Sequence, residues 1–341
     1  MIVKKTKPND VRSKKVYSYK FSDRIAKLPP KLILFAGRLL GSVAYYVDVR
    51  HRRIVNRNLH FIYSGWPRDK IKKTARHVFQ HLATTALEVL QISFFTREDI
   101  LSRTRIEGDE ILRDAIKSQK GIIFITAHIG NWEIMPLYTA CRYGHPVTSI
   151  ARKLSSAMFD RWIHQMRTRF GSIILDKKNA LPKMVRVLKK GGTLGILIDQ
   201  ETIRSEGIAA YFFDKKIMAT PGAALLARRY DCVVLPAFCV REPDGRLIYR
   251  IEKPLALQQT NDFQEDLLAN TQKMMASIEK MIRRYPEQWL WAHKRWKRFY
   301  PYLYPEDIKK RNRRRAKRHR ISEKSNGGED RITLRAKGRS S

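Results

Sequence analysis

The sequence predicts an α/β fold: a mostly parallel central sheet flanked by helices, with membrane-associating helices ahead of it. Three observations carry this. From about residue 108 to 285, short apolar runs of strand length alternate with longer segments of helical periodicity. Two of those runs, Gly121-Ile122-Ile123-Phe124-Ile125-Thr126 and Thr193-Leu194-Gly195-Ile196-Leu197-Ile198, read as buried strands. An apolar stretch flanked by cations, residues 32–47, precedes them.

The chain divides into a basic segment over 1–28, a helical membrane-associating region over 29–100, an α/β core over 101–304, and a basic tail over 305–341 that is expected to be disordered. Two helices are expected over about 29–60. A third opens near Pro67-Arg68-Asp69 and carries Val78, Leu82, Leu87, Val89, Leu90 and Ile92. Gly108 to Lys120 reads as a short helix feeding the strand at 121–126. A helix over 131–143, a strand at 146–151, a helix over about 155–170, a strand at 172–175 and a helix over 179–190 follow, then a strand at 193–198. A loop is expected from there to a helix opened by Thr220-Pro221, with threonine as cap and proline first in the helix. Strands at 232–240 and 247–252 and a long helix near 262–285 complete the core. Sites in such sheets form at the carboxyl ends of strands, where His128 and Asp199 both fall.

The 341 residues, 43% of them hydrophobic, suffice for one large domain with appendages or two modest ones. Three cysteines, Cys141, Cys232 and Cys239, form neither a disulfide framework nor a zinc framework, which points to inert packing in a reducing setting. The formal charge of +37 is exaggerated by the tail, yet the rest of the chain is still strongly basic. Such a surface attracts nucleic acid, anionic headgroups or an acidic protein. Zinc-finger spacing, an RNP-like aromatic strand and a glycine-rich phosphate loop are all missing, so no specific nucleic acid is expected. Residues 32–47 are interrupted by Arg38 and fall short of the ~20 residues a spanning helix needs. With Arg50, Arg52 and Arg53 following, they read as a helix in the membrane interface, Tyr45 and Tyr46 at headgroup depth. Burial in a soluble domain and a single span are the alternatives.

The most informative segment is Ala127-His128-Ile129-Gly130-Asn131-Trp132-Glu133. Of nine histidines, only His128 has an acidic residue five positions on. Five residues of continuous helix would leave the two side chains roughly 140° apart. The pair therefore meets only if His128 sits in a turn and Glu133 in the first helical turn, with Asn131 as N-cap. A helix-start glutamate favoured by the dipole is the structural alternative.

Four stretches together resemble the bacterial lipid A biosynthesis acyltransferase family, within the superfamily carrying an H-x4-[D/E] signature. They are the segment just quoted, Ile198-Asp199-Gln200-Glu201, Phe212-Phe213 through Ala219-Thr220-Pro221-Gly222 to Arg229, and Tyr285-Pro286-Glu287-Gln288-Trp289 to Lys297. The resemblance spans roughly residues 25 to 300. The long basic tail departs from it.

The resemblance implies transfer of a fatty acyl group from an acyl carrier protein thioester, or acyl-CoA, to a hydroxyl of a phosphorylated lipid A precursor, with no cofactor and no metal. The expected place is the cytoplasmic face of a bacterial inner membrane. His128 is the expected base, with Glu133 orienting the ring and stabilising the imidazolium. No serine or cysteine is placed beside the histidine, so direct attack by the acceptor is expected. Oxyanion donors would be backbone amides of 130–133 or a nearby cation. Gly130, Asn131, Arg152, Lys153, Arg169, Asp199, Gln200 and Glu201 are the expected substrate-binding residues. Arg152-Lys153 follows a strand onto the rim of His128, and Arg169 matches the family's arginine-before-glycine region. Trp289, Trp291 and Trp296 either pack under the sheet or meet the membrane, and His293 is expected to be structural. The expected partners are an acyl carrier protein, anionic lipids and a phosphorylated glycolipid. A lysophospholipid or another glycolipid is the alternative acceptor, and a basic nucleic-acid-binding protein is the alternative of a different class.

Overall fold

The computed structural model describes residues 24, 26–308 and 312–313. Nearly all of the basic N-terminal segment and of the tail expected to be disordered lies outside the described residues. Helix α1 (Pro30–Val47) starts on a proline whose fixed φ suits a first helical position. One face packs on α3 (Arg68–Ile92) through Gly37 and Gly41. A Cβ at Gly37 would sit 2.1 Å from Thr84 Oγ1, and one at Gly41 2.3 Å from Gln80 Cα. The opposite face leaves Leu32, Phe35, Leu39, Val43 and Tyr46 exposed, Phe35 by 65%. Between them α2 (Val49–Ile62) turns off at 95°, capped by Asp48, which accepts from His51 N–H at 3.0 Å. Among the described residues no single helix is long and apolar enough to cross a membrane; α1 and α2 meet that test only as a bent pair.

Helix α4 (Arg97–Arg103) and strand β1 (Thr104–Glu107) lead into α5 (Asp109–Lys117), β2 (Ile122–Thr126), α6 (Ile134–Tyr143), β3 (Val147–Ala151) and α7 (Ala157–Thr168). Then come β4 (Ile173–Asp176), α8 (Leu181–Lys189), β5 (Thr193–Leu197), a hairpin of β6 (Ile208–Phe212) and β7 (Lys215–Ala219), and α9 (Gly222–Tyr230). Strands β8 (Val233–Arg241) and β9 (Leu247–Ile251) and helix α10 (Phe263–Arg284) close the fold. The seven-stranded sheet has the order β1-β9-β8-β2-β5-β3-β4. Strands β8, β2, β5, β3 and β4 are parallel; β9 runs antiparallel to β8 and carries β1 parallel to itself. The expected mostly parallel sheet is present, with two reversed strands at one edge.

Strand β2 is buried at every position and sends alternate residues into two cores. Ile123 and Ile125 join Trp289, Trp291 and Trp296 on one side; Ile122 and Phe124 join α6 on the other. The three tryptophans are all but fully buried, so they pack under the sheet rather than meeting a membrane. Cys141 and Cys239 are buried and Cys232 half-buried, and burial pushes the Cys232 thiol up to about 11.

Three features depart from the sequence expectation. Strand β1 lies in a stretch to which the sequence assigns no element, and the β6–β7 hairpin fills one read as loop. The hairpin turns on Phe213 and Asp214, both in the left-handed region at φ 54° and 56°, where Asn-Gly or Asp-Gly would ordinarily signal the turn. Tertiary contacts hold Phe213 there: its ring is buried against Trp289 and Trp291, and its N–H donates to Glu279 Oε2 at 2.5 Å. Helix α9 begins at Gly222, one residue later than Thr220-Pro221 suggested, with Pro221 itself as the cap.

Candidate active site

Residues 127–133 leave β2 as an irregular turn. Gly130 has φ 57°, and a Cβ there would lie 2.0 Å from the Cys239 carbonyl oxygen, so the position requires glycine. The turn is stitched on both sides. Gly130 N–H donates to Gln288 O at 3.0 Å, Asn131 N–H to Cys239 O at 2.8 Å, and Leu290 N–H to His128 O at 3.0 Å.

Behind the turn lies a buried polar network. Arg241, at the end of β8, is 2% exposed and makes a forked ion pair with Glu88 of α3 at 2.6 and 2.5 Å. It also donates to Thr85 Oγ1 at 3.0 Å and contacts His81 Nδ1 at 2.9 Å. Glu88 in turn accepts from Asn131 Nδ2 at 2.9 Å, and Thr85 Oγ1 donates to Gly130 O at 2.9 Å. The Gln288 side chain exchanges two hydrogen bonds with the Arg241 backbone, at 2.8 and 2.7 Å. Asn131 therefore serves the ion pair and not the helix: α6 starts only at Ile134, and its N-cap is Glu133.

The carboxylate on the imidazole is Asp199, not Glu133. His128 Nδ1 lies 2.9 Å from Asp199 Oδ1, while Asp199 Oδ2 accepts from His128 N–H at 3.0 Å and from Trp289 Nε1–H at 2.8 Å. Sheet register explains the pairing. Thr126 of β2 stands opposite Leu197 of β5, so the residues two further on, His128 and Asp199, emerge side by side. Both Glu133 oxygens are taken instead by Arg167 of α7, at 2.7 and 2.6 Å, and one also accepts from Trp132 Nε1–H at 3.0 Å. Burial opposes charge on the His128 ring, but the Asp199 charge and hydrogen bond outweigh it, with a smaller contribution from Glu133, so the imidazole is more basic than an ordinary histidine. Burial would raise Asp199; the imidazole and the two other donors hold it at about 2. An ionised Asp199 fixes the proton on Nδ1 and leaves the Nε2 lone pair free.

The remaining expected residues separate. Gln200 Nε2 lies 3.5 Å from both ring nitrogens of His128. Glu201 is drawn off to the backbone N–H of Arg298, at 3.1 Å, and so ties down the C-terminal block. Arg169 donates to the carbonyls of Ile92 and Ser93 at the end of α3, at 3.2 and 2.5 Å, a structural use. Two helical positions correspond to about 200° of rotation, which is why Arg167 and not Arg169 is the cation beside Glu133. Arg152 and Lys153 are exposed just beyond β3, on the same sheet rim as His128. The Gly130 and Asn131 amides are consumed by carbonyls and cannot serve as oxyanion donors. His293 is pushed down to about 4 by burial, and its carbonyl accepts from Asn58 Nδ2 at 2.9 Å.

Sequence reasoning passed over Arg167, Glu88 and Arg241, and gave Gln288 and Trp289 a place in the C-terminal block without a role at the site. Glu88 and Arg241 carried a usable signal, since each puts a charge in or at the end of an apolar run. Arg167 carried none, because only the crossing of distant elements brings it beside Glu133.

A basic histidine steered by a buried carboxylate at the carboxyl rim of a parallel sheet marks an enzyme site of the α/β class. The model of the family described as bacterial lipid A biosynthesis acyltransferase matches residues 19–298. The chain belongs to that family and is an acyltransferase. It is 27% identical over 277 residues to the lipid A biosynthesis lauroyltransferase of Escherichia coli (strain K12), covering 80% of this chain and 88% of the relative. It is 23% identical over 273 residues to the lipid A biosynthesis palmitoleoyltransferase of the same strain, covering 80% and 87%. A phosphatidylinositol mannoside acyltransferase of Mycolicibacterium smegmatis is 24% identical over 189 residues, covering 54% of this chain and 60% of the relative.

Proposed function

We propose that this acyltransferase moves a fatty acyl chain from an acyl carrier protein thioester to a hydroxyl of a lipid A precursor. The carrying observation is the His128–Asp199 pair, whose Nδ1 is tied to an ionised carboxylate and whose Nε2 has the Gln200 amide no closer than 3.5 Å. In this reading Nε2 takes the acceptor hydroxyl proton as its oxygen attacks the thioester carbonyl. The C–S bond then breaks and the imidazolium returns the proton to the leaving thiolate. Direct transfer needs no acyl-enzyme. Arg167, held by Glu133 and close enough for its charge to be felt at the His128 ring, is a candidate to meet negative charge on the carbonyl oxygen or a substrate phosphate. Arg152 and Lys153 on the rim suit an acidic carrier protein.

The outward apolar face of α1 supports seating at a membrane surface, the inner-membrane cytoplasmic face in this reading. Deleting residues 309–341 is then expected to weaken sedimentation with anionic membranes while leaving turnover in detergent unchanged. The Mycolicibacterium relative favours one second reading, the same chemistry on another glycolipid.

The test is labelled acyl-carrier thioester with a phosphorylated, acylated glucosamine disaccharide. Product is expected with the wild type and none with His128→Ala; equal turnover would remove His128 from the mechanism. Because the neutral ring is the active form and its pKa is raised, kcat/KM is expected to fall on acidification with a midpoint above 6.5. A midpoint at or below that value contradicts the pairing with Asp199.

A further inference from the structure

A cavity of about 270 Å³ with charged and polar side chains in its wall opens between α1, α3 and the segment after α10, and His128 is not among its lining residues. Its walls include Arg38, His77, Gln80, His81 and Arg241, with Glu242 and Glu287 on another side. From this arrangement we infer that the cavity binds a phosphate group, supplied by an anionic lipid headgroup or by free phosphate.

Three observations carry it. First, α1 places the cavity at a chemical boundary. At 100° per residue, Leu32, Phe35, Leu39, Val43 and Tyr46 form one exposed apolar arc, and Arg38 lies just off its edge, beside the packed face of Leu34 and Gly41. A helix seated at a headgroup layer by that arc would present Arg38 at phosphate depth. Second, three cations in or beside the cavity are unpaired. Among the described residues Arg38, Lys73 and Arg76 take part in no ion pair within 4.0 Å. Burial first, then these cations, hold His77 below its ordinary value, and burial, Arg241 and Arg38 take His81 down to about 3. A phosphate placed there would reverse that penalty while accepting hydrogen bonds from the guanidinium, the imidazoles and the Gln80 amide. Third, the opposing carboxylates are weak obstacles. Glu242 lies 3.8 Å from Arg105, and burial raises Glu287, which favours its neutral, hydrogen-donating form.

The cavity borders the supports of the catalytic turn, because Arg241 and Gln288 both stand in its wall and the Gln288 carbonyl accepts from Gly130 N–H. His81 contacts Arg241, which holds Glu88 and, through it, Asn131. Occupancy would brace the strut behind His128 from its far side, so lipid docking and the geometry of the turn would be linked.

Binding can be measured without any acyl transfer, so its outcome is independent of the proposed reaction. The full chain would be titrated with inorganic phosphate while the His77 and His81 imidazole resonances are followed. It would also be sedimented with phosphatidylglycerol or phosphatidylcholine vesicles. The variant is Arg38→Gln/His77→Gln, and the control is Lys280→Gln/Lys189→Gln, which removes exposed charge elsewhere. The expected result is a saturable shift of His77 and His81 in the wild type, and about tenfold weaker anionic-vesicle binding in the Arg38 variant than in the control. A shift with phosphate but no vesicle preference assigns the site to free phosphate; vesicle binding alone assigns it to a headgroup. No shift, together with equal vesicle affinity for variant and control, overturns the inference.

Discussion

Asp199→Asn is expected to leave the protein folded and to lower kcat by about 10³–10⁴-fold with little change in KM. The physical reason is tautomeric. Asp199 accepts three donors: His128 Nδ1–H, the His128 amide and the Trp289 indole. A carboxamide can turn its N–H2 toward Nδ1, which then becomes an acceptor and moves the ring proton to Nε2, where the substrate needs a base. The acidic limb of the rate profile should also shift downward, because the charge that outweighs burial at His128 is gone. Glu133→Gln provides the contrast. It frees Arg167 and reduces activity, but should shift that limb less, since Glu133 contributes less than Asp199 to the basicity of the ring. Equal limb shifts in both variants would mean that the ring answers to the motif carboxylate after all. In stability terms, the raised His128 contributes most below about 6.5 and loses its contribution as pH rises through its folded value. The lowered Asp199 contributes above its unfolded value and loses its contribution as pH falls through about 2.

The largest stability effect is expected at the strut behind the turn. Arg241→Met leaves Glu88 buried and unpaired, and should destabilise the fold by about 3–5 kcal/mol. Glu88→Leu with Arg241→Met should recover much of that loss, since two apolar side chains replace two desolvated charges. Activity should not recover with it: the double variant removes the acceptor of Asn131 and the donor to Thr85, so the turn carrying His128 loses two supports. Urea unfolding gives the first quantity and turnover the second. If single and double variants are equally unstable, the ion pair is not the source of the effect. If the double variant regains full turnover, the strut does not position the turn.

How much of this was legible in advance depends on the range over which each signal acts. The alternation of apolar runs and helical periods located β2, β3, β5, β8 and the helices between them, because burial on both faces writes itself into local composition. The hairpin at 208–219 was missed because Phe213 and Asp214 take left-handed angles for tertiary reasons. The end of β2 could be recognised as a catalytic turn from His128, Gly130 and their context. The partner of His128 could not be chosen among Glu133, Asp199 and Glu201 from spacing alone.

The sequence by itself determined the sheet, its carboxyl rim, the histidine upon it and the family, since these rest on neighbours along the chain. Only the folded molecule decided that Asp199 holds the ring, that Arg167 occupies Glu133, and that Arg241 and Glu88 brace the turn from behind. Each of those contacts joins residues at least 34 positions apart. Sheet register and helix crossing set such distances, and neither leaves a periodic trace in the order of residues.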